Sequence, residues 1–255
     1  MGTLPRLDSV SSVTSVRVAR RPRAFVRVSG PDAADYLNRM LSNDVLALGP
    51  GGACDALLLT AKARIIAPLR VLRRGDDDFL LITEPELGER VRVELFRFRF
   101  AAKAEIEPEE HEAWLVLGGD EVLDARPEGA EVGDDEVERW RIEAGIPRWG
   151  RELDETILPA EAGLTETHVS FTKGCYPGQE PIARQHYRGK VNRRLRVLEV
   201  EAAQPGDEIH LGEKVVGRVT SAVRGVALGY VRVEVQDDAR LEIGSGSGRV
   251  VARLR

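Results

Sequence analysis

The sequence predicts an α+β body of about 190 residues followed by a small antiparallel β-barrel. Two observations carry that reading. Up to residue 190, apolar strand runs alternate with helical periodicities; from Leu195 onward there are only short alternating runs separated by glycine-rich turns. A chain of 255 residues with 42% hydrophobic content is long enough to bury such a body and a separate module.

The elements follow in order. "RAFVRVSG" is strand-like and runs into Gly30-Pro31-Asp32, a helix-start signal with proline in the first turn. Ala33, Tyr36, Leu37, Met40 and Leu41 then recur at helical spacing, and Ser42-Asn43-Asp44 stops the helix. Beyond the Gly49-Pro50-Gly51-Gly52 turn come the strands "CDALLLT", "RIIAPLRVLRR" and "FLLIT", and Glu84-Pro85-Glu86 opens a helix through about Phe96. A second round begins near Lys103, with the strand "AWLVLGG", a polar acidic region, and the helix "DDEVERWRIEAG". The barrel strands are "LRVLEVE", "KVVGRVTSAV", "VALGYVRVEV" and "RVVARLR". The division is thus 1–190, with subdomains of about 1–100 and 101–190, and 191–255.

No run approaches a membrane span, and the amino terminus has no apolar signal core, so a cytoplasmic protein is expected. The Arg- and Ser-rich start could suggest a transit peptide, but Arg17-Val18 and residues 23–28 alternate as edge strands do. Cys54 and Cys175 form no CxxC and no Cys/His pair at metal-ligand spacing, which argues against a disulfide scaffold and a structural zinc site. Cys54, among alanine and leucine, is expected in the core.

The formal charge of −5 conceals segregation. Residues 104–138 carry fourteen acidic groups against Arg126 alone, while residues 171–196 carry Lys173, Arg184, Arg188, Lys190, Arg193, Arg194 and Arg196 against Glu180. The basic stretch is either a structural face or an anion site. Arg188, Lys190, Arg193, Arg194 and Arg196 with Tyr187 could track phosphates, although the acidic total makes nucleic acid the weaker partner.

Within that stretch Cys175 stands between Lys173-Gly174 and Pro177-Gly178. Glycine permits close backbone approach and proline fixes an entry angle, so Gly174, Pro177 and Gly178 would aim the loop. Gln179 and Glu180 would cap the next helical turn. Nearby cations such as Lys173 and Arg184 would favour the thiolate. The thiol could be a nucleophile with His168 or His186 as base, one ligand of a cluster shared with a partner, a redox thiol, or a small turn residue.

Three stretches, "VSGPDAADYLNRMLSNDV", "RIEAGIPRWGRELDETILPAEAGL" and "KGCYPGQEPIAR", resemble the folate-binding fold of the glycine-cleavage T-protein, the aminomethyltransferase; the third resembles its YgfZ-type branch. "VVGRVTSA" and "ALGYVR" extend the resemblance into the barrel. It implies a T-protein-like body of two α+β subdomains, tetrahydrofolate as cofactor, with or without a polyglutamate tail, and a role supporting iron-sulfur enzymes, tRNA-modifying ones among them, with assembly proteins or those enzymes as partners. It implies Cys175 as the functional thiol and Glu143 as the pteridine-gripping glutamate, whose carboxylate can accept two pterin donors. Lys173, Tyr176, Gln179, Arg184 and Arg188 are the other implied folate contacts; without the resemblance Glu143 is a helix-end residue satisfied by Arg139 or Arg141. Where T-proteins place an aspartate, this strand has Ala67-Pro68, and the nearest acids, Asp55 and Asp76, lie outside it. The resemblance therefore implies a folate binder without classical aminomethyl transfer, with an active transferase or demethylase and a nucleic-acid module as alternatives.

Overall fold

The structure is a computed structural model describing residues 15–189 and 191–251. Lys190, the Arg- and Ser-rich residues 1–14 and the last four residues of "RVVARLR" lie outside the described residues.

In chain order the elements are β1 (Arg17–Arg20), β2 (Ala24–Ser29), α1 (Ala33–Met40), β3 (Ala53–Leu59), β4 (Ile65–Gly75), β5 (Asp78–Thr83), a short 3-10 turn, α2 (Gly88–Arg97), β6 (Glu105–Glu109), β7 (Ala113–Val116), β8 (Glu121–Leu123), β9 (Ala130–Glu131), α3 (Asp134–Glu143), α4 (Thr165–His168) and α5 (Gln179–Arg188). The barrel strands are β10 (Arg193–Val200), β11 (Glu208–Leu211), β12 (Lys214–Val223), β13 (Val226–Arg232), β14 (Arg240–Ile243) and β15 (Gly246–Val250).

The expected α+β body and terminal barrel are both present. The body holds a five-stranded sheet ordered β3-β4-β5-β2-β6 and a four-stranded sheet ordered β8-β7-β1-β9. The two sheets interleave in sequence. β1 leaves the first half to pair with β7 (Val18 opposite Val116), and β6 from the second half closes the first sheet against β2 (Phe25 opposite Glu109). On the larger sheet α1 buries Ala33, Tyr36, Leu37 and Met40, and α2 buries Val91 and Leu95, into one core with Val28, Leu58, Val71 and Phe79. A 3.6-residue apolar period gives such a helix one buried face.

Interleaving also offsets part of the charge segregation. The acidic segment lies against strand arginines: Arg17 meets Glu136 at 2.8 Å, Arg20 meets Glu112 at 2.6 Å, Arg23 meets Glu121 at 2.5 Å and Arg74 meets Glu109 at 2.6 Å. The sheet packing brings opposite charges from distant parts of the chain together.

The barrel closes in the order β10-β13-β12-β11-β14-β15, with β15 returning to β10 at Leu198–Val250. Strand alternation sends Leu198, Ile209, Val219, Leu241 and Ile243 inward. Gly229 lets β12 lie close, because a Cβ there would sit 2.7 Å from the Arg218 carbonyl oxygen. Among the described residues no helix is long and apolar enough to cross a membrane.

Candidate functional site

The cysteine loop is anchored at both ends. Lys173 Nζ donates to the carbonyl oxygens of Leu41 at 2.6 Å and Asn43 at 2.9 Å, and also to that of Asn38. These carbonyls lie in and just beyond the last turn of α1, where a helix leaves acceptors without intrahelical partners and presents its negative end. Burial lowers the Lys173 ammonium to about 8, and its charge lies 5.2 Å from the centre of the Tyr176 ring. Ser42 extends the stitching. Its buried hydroxyl donates to the His168 carbonyl oxygen at 2.6 Å and accepts from Leu57 N at 2.8 Å, and Ser170 N donates to the Ser42 carbonyl oxygen at 2.9 Å.

The other anchor is Gly178, the N-cap of α5, at φ +83°. A Cβ there would stand 2.6 Å from the Thr60 carbonyl oxygen, so only glycine lets the loop press on the β3–β4 turn. A Cβ at Gly174 would meet nothing within 4 Å, so this glycine does not set the loop's path, contrary to the sequence expectation; the constraint falls on Lys173 and Gly178. Between the anchors Cys175 is exposed.

Lys173 is thus fully engaged by backbone carbonyls. Three acceptors take its three N–H donors, so the side chain fixes the start of the cysteine loop against the end of α1. Gln179 and Glu180 are the first residues of α5 and make no side-chain cap; Gly178 occupies the cap position, and Glu180 places its charge in the first turn. Neither histidine considered as a base hydrogen-bonds Cys175. His168 Nδ1 faces Thr167 Oγ1 at 2.7 Å, and the His186 ring stacks on Phe171 at 4.0 Å.

Tyr176 turns inward from the loop. It is 7% exposed, in a cluster with Leu57, Ile142 and Ile182, and its hydroxyl is buried with no hydrogen-bond partner. Burial pushes this phenol up to about 12, so it stays a proton donor across the physiological range. Ile142 in the same cluster precedes Glu143, the last residue of α3. Glu143 is exposed and accepts one hydrogen bond, from Arg139 at 3.2 Å. Arg141 points away from it, to Glu138 and to the buried Glu152.

Arg184 and Arg188 stand one turn apart on the exposed side of α5, and no ion pair engages either among the described residues. Arg193 meets Glu161 at 3.1 Å and Arg196 pairs with Asp237, whereas Arg194, like Arg184 and Arg188, makes no ion pair among the described residues. A cavity of about 520 Å³ opens beside α5, lined by Ile182, Gln185, His186, Thr165 and Arg194; Glu143 and Cys175 lie outside its lining.

In β4, Ala67 is fully buried and Pro68 offers only its carbonyl oxygen, to Thr83 Oγ1 at 2.8 Å. Asp55, opposite Arg70 in the register, is held by that arginine at 3.2 Å. Cys54 is half-buried against the core, and burial, reinforced by Asp55, pushes its thiol up to about 11.

The family model described as the CAF17 C-terminal beta-barrel domain matches residues 192–254. The chain is 28% identical to the mouse "Iron-sulfur cluster assembly factor IBA57, mitochondrial", over 80% of this chain and 71% of that protein. It is also 28% identical to "tRNA-modifying protein YgfZ" of Edwardsiella ictaluri, over 86% of this chain and 87% of that one. In three dimensions it matches the glycine cleavage system aminomethyltransferase T of Bartonella henselae with a TM-score of 0.81 at 19% identity, covering 94% of this chain and 86% of that one.

Proposed function

We propose that this chain, a YgfZ-type protein of the aminomethyltransferase-like fold, binds tetrahydrofolate and presents Cys175 to the iron-sulfur assembly machinery or its client enzymes. The observation that carries the reading is the exposed thiol held between two independent anchors, the Lys173 ammonium and the Gly178 backbone. A turn residue serving only to fill space would face the protein, as Tyr176 does.

The residues fit a reduced folate. Glu143 has an open carboxylate able to accept from the 2-amino and N3 groups of a pterin, and the Tyr176 hydroxyl is a buried donor without an acceptor. Gln179, half-buried at the start of α5, adds an amide, and Arg184 and Arg188 offer cations to the carboxylates of a glutamate tail. When bound, tetrahydrofolate supplies a one-carbon-carrying nitrogen. No carboxylate of β4 stands where T-proteins have one, so the folate acts here as a bound effector or carrier rather than as the acceptor of an aminomethyl group.

In this reading Lys173 and Gly178 hold the thiol outward and the partner brings the cluster or the opposing sulfur. One relative's name gives a role in iron-sulfur cluster assembly and another's a role in tRNA modification, which supports an iron-sulfur-related role, and the clients of this reading are iron-sulfur enzymes, tRNA-modifying ones among them. The test is complementation of a bacterial strain lacking its own YgfZ-type protein. Cys175→Ser is expected to abolish support of iron-sulfur enzyme activity while the purified variant keeps its thermal midpoint and folate affinity. Full complementation by the serine variant would remove the thiol from the account.

A further inference from the structure

The end of α2 and the turn after it carry "FRFRF", a feature the folate site does not use. Phe96, Phe98 and Phe100 are 53%, 42% and 85% exposed, with Val93 beside them on the same helix. Arg97 lies over the Phe98 ring at 5.3 Å and Arg99 over the Phe96 ring at 4.7 Å, while Phe98 and Phe100 meet edge to face at 6.5 Å. Phe100 adopts φ +45°, a left-handed conformation that strains a bulky L-residue. An aromatic ring in such a conformation, touching Phe98 by one edge and otherwise exposed to water, contributes little to the fold of the single chain.

This ring and Phe98 form one wall of a hollow of about 510 Å³, whose other side is Tyr36 and Met40, with Asp32, Asp35, Arg39 and Arg99 at its polar positions, so Phe100 is both the rim of the recess and the projection above it. Asp35, Arg97 and Arg99 make no ion pair among the described residues, while Asp32 accepts from the backbone N–H of Lys103 at 2.7 Å. One small region therefore holds a projection and a recess, and charges of both signs without ionic partners. The surplus of aromatic and arginine side chains is the composition of a protein–protein contact. The two carboxylates among the arginines make the charge of the recess mixed, which suits a surface of likewise mixed charge, such as this one, better than a polyanion or an anionic bilayer.

We infer that this patch is a two-fold interface between copies of this chain, with Phe100 of each seated in the hollow of the other and the unpaired arginines facing the aspartates across the axis. A two-fold axis requires the same surface to be complementary to itself, which a side-by-side knob and recess with mixed charge provides.

Sedimentation velocity on the full chain, from about 1 to about 300 µM, spans micromolar association. The wild-type protein is expected to dimerise in this range, less so as salt is added. Phe100→Ser and Phe100→Gly should each weaken the dimer at least about tenfold, the usual cost of truncating an aromatic anchor. Phe100→Gly should at the same time raise the thermal midpoint, because glycine accepts the positive φ, which separates loss of the interface from loss of the fold. A wild-type protein monomeric throughout, or a dimer unchanged by Phe100→Ser, overturns the inference. So does a monomer that pellets with phosphatidylserine vesicles in a Phe100-dependent way, which would make a bilayer the occupant.

Discussion

Arg141 Nη1 lies 2.8 Å from Glu152 Oε2, with the two side chains 6% and 0% exposed, and this buried pair ties α3 to the barrel. Ser221 of β12 donates to Glu152 at 2.6 Å and accepts from Arg141 at 2.8 Å, and the Tyr230 hydroxyl of β13 donates to the Glu152 carbonyl oxygen at 2.9 Å. Removing Glu152 leaves the buried guanidinium with Glu138 as its remaining carboxylate and takes the acceptor from the Ser221 hydroxyl. Glu152→Ala is expected to cost about 3 kcal/mol in urea unfolding, the low end of the scale for breaking a buried ion pair, because Glu138 still compensates the charge. A loss within the range of exposed pairs would mean that water reaches Arg141.

The two thiols should differ sharply in reactivity. With the folded protein at pH 8, iodoacetamide followed by peptide mass spectrometry should find Cys175 alkylated, because it is exposed on its loop. Cys54, held up to about 11 by burial, should stay unmodified until denaturant is added. Equal labelling of both in the folded state contradicts this arrangement.

His111 predicts a pH dependence. Its ring lies 2.6 Å from Asp124 and 2.8 Å from Glu109. Burial alone would lower its pKa, but the two carboxylates outweigh burial and hold it above the ordinary 6.5. A raised folded value means the folded state binds the proton more tightly, so its stabilisation is full below 6.5 and is lost as pH rises through the folded value. Stability of the wild-type protein should fall across that window, and His111→Asn should flatten this decline. An unchanged pH profile in the variant would show that the histidine does not carry it.

Polyglutamylated tetrahydrofolate should bind more tightly than the monoglutamate at low salt, with Arg184 and Arg188 responsible. Added salt should erode the difference, since both arginines are exposed and screening acts fully there. Equal affinities at low salt, or a difference that survives Arg184→Ala with Arg188→Ala, would place the tail elsewhere.

Elements with a strong apolar period were legible in the sequence. α1 shows its buried Ala33, Tyr36, Leu37 and Met40 at helical spacing, and β12 follows its apolar alternation from Lys214 to Val223. α5 was legible only as a first turn, because Ile182 is its one fully buried residue and a single apolar position has no period. β6 hid in the acidic segment, since "EIEPE" buries only Ile106. In the candidate site, the cysteine and the glycine after it were visible as a motif. The role of Lys173 was not, because its acceptors lie about 130 residues earlier in the chain. Glu152 was equally hidden: a fully buried carboxylate is intelligible only beside Arg141 and Ser221, which three separate segments bring together.

The most direct measurement is calorimetric titration of the wild-type protein and Glu143→Ala with tetrahydrofolate. Saturable binding is expected for the wild type, with an affinity weaker by about 1.5 to 3 kcal/mol in the variant, the scale of hydrogen bonds to a charged group. The exposed Glu143 leaves the fold intact when truncated, so circular dichroism of the two proteins should superimpose. Absence of binding by the wild type, or equal affinity in a folded Glu143→Ala protein, would contradict the account.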